Sequence, residues 1–138
     1  MPDLFVDTSG WACYVDRSQA QHAAALAVYQ DIRAQGRRLV TTNYVLAELM
    51  ALLTQPLRIP RTTVLTFVEA LQAAPHIQIV HVDPARDAAA WGLLRSRPDR
   101  LWSLVDAASF VVMQERGLVE ALTTDHHFEQ AGFVRLLI

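Results

Sequence analysis

The chain has 138 residues, 52% of them hydrophobic, and its 14 acidic and 12 basic residues give a formal net charge of -2 at pH 7. A chain of this length can bury a core without disulfides, and its single cysteine, Cys13, excludes an internal disulfide and a cysteine-based zinc site. All 12 basic residues are arginines, so the lack of lysine excludes a Walker phosphate loop, a Schiff-base enzyme and an aspartyl-phosphate receiver domain.

The apolar runs and the residues that break them predict strands alternating with helices. The predicted strands span residues 3–7, 37–42, 77–82, 120–125 and 133–138. The predicted helices span residues 8–17, 19–35, 43–54, 60–74, 84–95, 103–117 and 126–132. Gly36 ends the second helix, Asn43 is a suitable N-cap for the third, and Pro60 and Pro84 open the fourth and fifth. A polar segment, RSRPDRLW, precedes the sixth helix; we call these residues, 95–102, the arginine loop.

This alternation indicates an α/β fold with a parallel sheet covered by helices on both faces. No linker, repeat or low-complexity stretch divides the sequence, so we expect a single domain. No apolar run approaches the roughly 20 residues that a membrane-spanning helix needs, so we expect no membrane association. The cysteine content fits a reducing compartment, and we expect a cytoplasmic protein.

Four acidic residues from separate parts of the chain are predicted to meet at one edge of the sheet. Ligands of such sheets bind at the carboxyl ends of the strands. Asp7 ends the first predicted strand and Asp125 the fourth, so they meet there if these strands are neighbours. Glu48 lies just over one turn into the third helix, and Asp106 lies in the first turn of the sixth. We therefore expect the four carboxylates to converge.

Glu48 is the most informative of the four, because the segment TNYVLAELMALL around it is apolar and has no basic residue within a helical turn. An ionised carboxylate buried without a partner costs several kcal/mol, so a distant part of the fold must supply the partner. Neighbouring carboxylates raise one another's pKa, and a divalent cation relieves this repulsion. Ligation by carboxylates alone favours Mg²⁺ or Mn²⁺. We predict that Glu48 faces a metal site shared with the three aspartates.

Each aspartate also has an alternative role as a helix cap, which the sequence leaves open. Asp7 and Asp125 each precede a predicted helix, and Ser103 and Asp106 have the spacing of a capping box. Glu48 lies too deep in its helix to cap it.

Four short blocks carry a resemblance to a known family. FVDTSGW, TNYVLAEL, LWSLVDAASFVVM and ALTTDHHF occur in the order and approximate spacing of PIN-domain ribonucleases. The chain resembles, more narrowly, the toxin subunit of VapBC-type bacterial toxin–antitoxin pairs, and the resemblance covers nearly its whole length. It implies a single PIN-like domain over residues 1–138, with a three-layer α/β/α fold, a mostly parallel central sheet and an acidic site for Mg²⁺ or Mn²⁺.

The resemblance also implies roles for individual residues. The acids of the family's motifs, which act as catalytic residues and metal ligands, correspond to Asp7, Glu48, Asp106 and Asp125. The supporting polar positions correspond to Thr8, Asn43 and Ser103. His126 and His127 depart from the pattern. We expect them to open a short surface helix, although phosphate binding or an influence on the metal site remains an open alternative.

The implied activity is that of a metal-dependent endoribonuclease toxin, which hydrolyses RNA to leave a 5′-phosphate and a 3′-hydroxyl. The implied partners are RNA, a VapB-like antitoxin that blocks the acidic site, and a second copy of the chain in a homodimer. The alternative is an antitoxin-binding and repression module with weak or no nuclease activity, which would dock its partner on the apolar helices 43–54 and 60–74. A haloacid-dehalogenase-type phosphatase fits poorly, because Ser9 stands where its second acid would lie.

RNA binding is predicted for the arginine loop. Because the net charge is slightly negative, RNA must bind to a local cluster of basic residues rather than to a generally positive surface. Arg95, Arg97 and Arg100 lead towards Asp106, and Trp102 offers a stacking surface for bases. A solvated loop with Trp102 in the core is the competing interpretation, and the sequence does not decide between them.

Overall fold

A computed structural model describes residues 2–138 and contains, within that range, five strands and seven helices. The strands are β1 (Leu4–Val6), β2 (Leu39–Thr42), β3 (Ile77–Val80), β4 (Glu120–Leu122) and β5 (Val134–Arg135). The helices are α1 (Thr8–Val15), α2 (His22–Ala34), α3 (Asn43–Thr54), α4 (Arg61–Ala73), α5 (Pro84–Ser96), α6 (Leu104–Arg116) and α7 (His127–Gln130). The alternating order expected from the sequence is confirmed.

The five strands form one parallel sheet in the order β3-β2-β1-β4-β5. In the central strand β1, Leu4 lies opposite Leu39 of β2 and Val6 lies opposite Leu122 of β4. Every residue of β1 and β2 is buried, as a parallel sheet covered by helices on both faces requires. The three-layer α/β/α architecture is therefore confirmed.

The strand order reverses beside β1, and this reversal determines where a site can form. From β1 the chain adds β2 and then β3 on one side, whereas β4 and β5 lie on the other. The connections that leave β1 and β4 therefore diverge, and a crevice opens at the carboxyl ends of these two strands. Asp7 follows β1 directly and Thr123 follows β4 directly, so both lie at this crevice.

The start of α1 packs closely against the end of β4. A Cβ at Gly10 would lie 2.1 Å from the carbonyl oxygen of Leu122, an approach that only glycine permits. Trp11, the next residue, is fully buried, and its indole N–H donates to the Thr41 hydroxyl at 3.3 Å. The close approach at Gly10 places the start of α1 next to the end of β4, and the Trp11 contact joins the same helix to β2. None of the helices between residues 2 and 138 is long and apolar enough to cross a bilayer.

The start of α2 and the N-cap of α3 differ from the sequence prediction for local reasons. α2 begins at His22 rather than residue 19, because the Asp16 carboxylate accepts the Ser18 N–H at 3.0 Å and forms a turn after α1. The N-cap of α3 is Thr42 rather than Asn43, since the Thr42 hydroxyl accepts the capping hydrogen bond. The outer strands β3 and β5 are also shorter than the predicted 77–82 and 133–138.

β4 ends at Leu122 rather than at residue 125, because the backbone N–H groups that follow donate to side-chain hydroxyls instead of to a neighbouring strand. The Thr124 N–H donates to the Ser9 hydroxyl at 2.9 Å, and the Asp125 N–H donates to the Thr123 hydroxyl at 2.9 Å. The backbone thereby leaves the sheet ladder while it remains attached to α1. This turn keeps both Thr123 and Asp125 at the crevice.

Candidate active site

Asp7 is buried at the carboxyl end of β1, with 7% of the residue exposed. It is the N-cap of α1, and its Oδ1 accepts the Gly10 N–H at 3.1 Å and the Ser9 hydroxyl at 2.8 Å. Its Oδ2 accepts the Thr123 hydroxyl at 2.9 Å. The capping role that the sequence left open is therefore real, and it fixes the orientation of a carboxylate that also lines a cavity.

Burial raises the pKa of Asp7 from its ordinary value of 3.8 to about 7. The dominant cause is desolvation of the charged form; hydrogen bonds from Gly10, Ser9 and Thr123 oppose it, and the charge of Asp125 adds to it. A carboxyl with this pKa carries a proton about half of the time at neutral pH unless a cation replaces the proton. Strongly perturbed groups that line a cleft are typical of functional sites.

Glu48 is exposed, so the expectation that it is a buried charge is wrong. The helical periodicity of α3 turns the apolar residues of this segment into the core while Glu48 stays in contact with solvent. The buried residues of α3 are Val45, Leu46, Leu49 and Leu53. Glu48 does have a partner from a distant part of the chain, because the Thr8 hydroxyl at the start of α1 donates to its Oε1.

Asp106 forms the predicted capping box with Ser103. The Ser103 hydroxyl accepts the Asp106 N–H at 3.0 Å, and Oδ2 of Asp106 accepts the Ser103 N–H at 3.0 Å. The same Oδ2 lies 2.9 Å from Nδ1 of His127, which belongs to another element. The Asp106 side chain is 13% exposed. Its cap therefore does not exclude a second role, since the carboxylate also reaches across to α7.

Asp125 is joined to the two histidines that follow it. Its Oδ1 accepts the His127 N–H at 2.9 Å, and Nδ1 of His127 lies 3.4 Å from its Oδ2. The potential ligand atoms of Asp125, His126 and His127 all lie within 4.8 Å of one another. The histidines open α7, as expected, but the expectation that both face the surface is wrong for His127, which is turned into the acidic site.

One cavity of about 380 Å³ brings the predicted acids together. Its lining includes Asp7, Glu48, Asp106 and Asp125. Thr8 and His126 lie beside them. Within the described part of the chain, no arginine nitrogen lies within 4.0 Å of these carboxylates. A lining of carboxylate oxygens without a protein cation, one of them desolvated, fits a hard divalent ion such as Mg²⁺ or Mn²⁺.

Asn43 lies outside this cavity. Its side-chain oxygen accepts the Val82 N–H at 2.7 Å, so it joins the start of α3 to the segment after β3. It borders a different cavity with His81, beside β3. Ser103 is likewise absent from the cavity lining and acts on it only through its capping box with Asp106.

The arginine loop is partly tied to the protein itself. Arg97 pairs with Asp99 at 2.9 Å and lies over the Trp102 ring at 5.5 Å. Trp102 is 8% exposed, and its indole N–H donates to the Gln130 side chain at 3.0 Å. The competing interpretation, with Trp102 in the core, is therefore the one observed, and this ring offers no open surface for bases.

Two residues of the site, Ser9 and Thr123, were not predicted from the sequence, whereas for His127 an influence on the metal site had been left open. Ser9 and Thr123 are the hydroxyl donors to the Asp7 carboxylate, and their own oxygens lie 3.2 Å apart. A signal for them existed, because Ser9 comes two residues after Asp7 and Thr123 two residues before Asp125. Both must then lie at the same sheet edge as the acids.

Comparison with known proteins decides the family. The family model described as "PIN domain" matches residues 4–134. The chain belongs to the PIN-domain family. The matched region contains Asp7, Glu48, Asp106 and Asp125, so the resemblance seen in four short blocks extends over nearly the whole chain.

Among its relatives, this PIN-domain chain is 31% identical over 133 residues to the 23S rRNA-specific endonuclease VapC20 of Mycobacterium tuberculosis. The match covers 96% of this chain and 97% of VapC20, with equal values for strains CDC 1551 and H37Rv. The crystal structure of M. tuberculosis VapC20, a toxin that cleaves the sarcin-ricin loop, aligns with a TM-score of 0.81 and 31% identity, and covers 96% of this chain and 97% of that structure. The resemblance to VapC toxins is confirmed.

Proposed function

We propose that this PIN-domain chain is a metal-dependent endoribonuclease and the toxin of a toxin–antitoxin pair. The observation that carries the proposal is a single cavity lined by acids from four separate segments. Similarity to VapC20 over 96% of the chain supports the same class of reaction, and ribosomal RNA is the first substrate to test. The products would carry a 5′-phosphate and a 3′-hydroxyl.

The same four carboxylates would hold the ion, Mg²⁺ or Mn²⁺. When bound, such an ion lowers the pKa of water, polarises phosphoryl oxygens and screens the carboxylates from the charge of RNA. Asp7 supports this assignment most strongly, because burial makes its ionised form costly without a cation. Asp106 and Asp125, which contact His127, are partly buried, whereas Glu48 is the exposed acid of the four.

The protein groups around the acids would orient them and accept a proton. Ser9 and Thr123 bind the two different oxygens of Asp7 and so hold it in one orientation. Thr8 holds Glu48 through one carboxylate oxygen. Because Glu48 is exposed and lines the cavity, it is the acid best placed to accept the proton of a water that attacks phosphorus. The bond from phosphorus to the 3′-oxygen would then break.

The test is cleavage of ribosomal and total cellular RNA by the purified chain, with Mn²⁺, with Mg²⁺ and with a chelator. We expect discrete cleavage with either ion and none with chelator. Asp7→Asn and Glu48→Gln should each slow cleavage by about 100-fold or more. Glu69→Gln is the matched control, because Glu69 is exposed on α4 and lies outside the cavity. Equal cleavage by wild type and both site variants would refute the proposal.

An antitoxin is the protein partner that we propose. On residues 43–54, which were predicted as a docking surface, four apolar residues are buried in the core, whereas Tyr44, Met50 and Leu52 are partly exposed, so α3 offers a smaller apolar surface than expected. The helix at 60–74 remains a candidate, because α4 borders a groove of about 700 Å³ together with α1 and α2. Tyr14, Tyr29 and Phe67 line it, and Arg17 offers a positive charge beside them. An apolar segment with an acidic flank would suit this groove.

Pairing and cleavage can be separated by experiment. Co-expression with the product of a neighbouring reading frame should yield a stable complex that cuts no RNA, and the chain released from it should cut. A complex that forms while the released chain cuts no RNA with either ion would favour the interaction and repression module. We also propose a homodimer, since Trp91 is half exposed and Leu101 almost fully exposed, and light scattering of the purified chain tests this.

A further inference from the structure

His127 connects two of the site acids that come from different elements. Its Nδ1 lies 2.9 Å from Oδ2 of Asp106, at the start of α6. Its backbone N–H donates to Oδ1 of Asp125, in the turn after β4, at 2.9 Å. Its side chain is 20% exposed, so these contacts are partly shielded from water. No other residue between positions 2 and 138 makes a hydrogen bond to both acids.

The hydrogen bonds to Asp106 fall on one oxygen only. Oδ2 accepts the Ser103 N–H at 3.0 Å and faces the His127 ring nitrogen at 2.9 Å. An ionised carboxylate only accepts hydrogen bonds, so Nδ1 of His127 must carry the proton that it shares. Within the described residues, Oδ1 of Asp106 has no protein donor. The carboxylate is therefore fixed by one oxygen, and the other is available.

We infer that His127 is a positioning residue of the metal site: its Nδ1–H holds the Asp106 carboxylate, and its backbone N–H holds Asp125, so that their remaining oxygens ligate one divalent cation. This inference rests on the proposed function, because it assigns the residue a role towards the same ion. Groups that hydrogen-bond to metal ligands fix the orientation of those ligands, and their loss typically weakens metal binding by about 10- to 100-fold.

His126, the neighbouring histidine, lines the same cavity but does not hold either acid through a hydrogen bond. Its side chain is 64% exposed, and its Nδ1 lies 3.7 Å from Asp125, beyond hydrogen-bond distance. Because His126 still lines the acidic cavity, the control is His81, an exposed histidine that borders the separate cavity beside β3. The competing possibility is that His127 itself ligates the ion together with Asp125, since their ligand atoms are close. That role requires the imidazole ring, whereas the positioning role requires only a donor at the Nδ1 position.

Three substitutions of His127 separate these roles. Asparagine places its amide N–H₂ at nearly the same distance from the backbone as Nδ1, glutamine places it one carbon further, and phenylalanine keeps the ring but has no donor. Calorimetric titration of the metal-free protein with Mn²⁺ gives the affinity without reference to catalysis. We expect His127→Phe and His127→Gln to lose about 10- to 100-fold in Mn²⁺ affinity, and His127→Asn to stay within about threefold of wild type. His81→Phe should bind as wild type does.

RNA cleavage and thermal unfolding complete the experiment. At saturating Mn²⁺, His127→Asn should cut RNA at close to the wild-type rate, and all variants should unfold in one cooperative transition. His127→Asn that binds Mn²⁺ as weakly as His127→Gln would overturn the positioning role in favour of ligation by the ring, and unaltered affinity in His127→Phe would overturn it outright. If wild type binds Mn²⁺ and the variants follow the expected order but no RNA is cut, the positioning role stands and the proposed nuclease function fails.

Discussion

Asp7→Asn should stabilise the metal-free protein at alkaline pH, although it removes a predicted catalytic group. In the folded wild type, burial raises the pKa of this carboxyl to about 7 from its ordinary 3.8. Between these two values the folded chain keeps a proton that the unfolded chain releases. Stability contributed by the neutral carboxyl is therefore fully present below about pH 4 and is lost as the pH rises through 7.

The size of the effect follows from the same two values. A rise of about three pKa units corresponds to about 4 kcal/mol in the free energy of unfolding. About 3 kcal/mol of this loss should develop between pH 5 and pH 8. Asparagine does not titrate, and it keeps an oxygen for the Gly10 N–H and the Ser9 hydroxyl. Its amide can donate to the Thr123 oxygen, so the substitution should lose little of the hydrogen bonding.

Urea unfolding in the presence of a chelator measures the effect. The free energies of unfolding at pH 5 and pH 8 are compared for wild type, Asp7→Asn and Asp31→Asn, in which an exposed aspartate of α2 is replaced. Wild type and Asp31→Asn should lose about 3 kcal/mol more than Asp7→Asn over this interval. Added Mn²⁺ should then stabilise wild type far more than Asp7→Asn at pH 8. Parallel losses in wild type and Asp7→Asn would refute the desolvation argument.

Gly10→Ala should destabilise the fold by more than about 3 kcal/mol, because its Cβ would lie 2.1 Å from a backbone oxygen of Leu122. Gly92→Ala, in α5, should instead stabilise the fold by up to about 1 kcal/mol, because no atom lies within 4 Å of the new Cβ. Thermal unfolding compares the two variants, and equal shifts in their unfolding temperatures would contradict this prediction. Thr123→Val should lower the free energy of unfolding by about 1–3 kcal/mol at pH 8 and slow RNA cleavage, because Asp7 loses a buried hydrogen-bond donor. Thr123→Ser should keep the wild-type stability and cleavage rate. A valine variant that unfolds and cleaves as wild type does would show that this hydrogen bond is dispensable. Changing the three arginines of the arginine loop to glutamine should weaken RNA binding and reduce its salt-dependence slope by up to about two, and unaltered binding would remove the loop from the RNA interface.

The positions of Asp7 and Asp125 could be predicted because each follows an apolar run that reads as a strand, and parallel strands end at one sheet edge. The sequence could not show that these two strands are neighbours. That relation depends on the strand order, in which β4 pairs with β1 on the side opposite β2. The strand order results from the packing of the whole chain. From the sequence, Asp7 and Asp125 meet only if their strands are neighbours, and the structure shows that they are.

Glu48 and His127 show where local patterns fail in opposite directions. The apolar run around Glu48 suggested burial, but a helix can bury one side of such a run and still leave an acid exposed on another. The adjacent histidines look equivalent in the sequence, yet only His127 reaches Asp106. That contact joins residues 21 positions apart, and it exists because α6 and α7 lie side by side. No local signal distinguishes the two rings.

Anomalous X-ray scattering from crystals soaked in Mn²⁺ would test most directly whether the four carboxylates form a metal site. We predict an anomalous peak inside the cavity of about 380 Å³, with carboxylate oxygens of Asp7 and Asp106 about 2 Å away and Glu48 or Asp125 facing the same ion directly or through water. No peak in this cavity at millimolar Mn²⁺, or a peak held only by His126 and other exposed groups, would contradict the prediction.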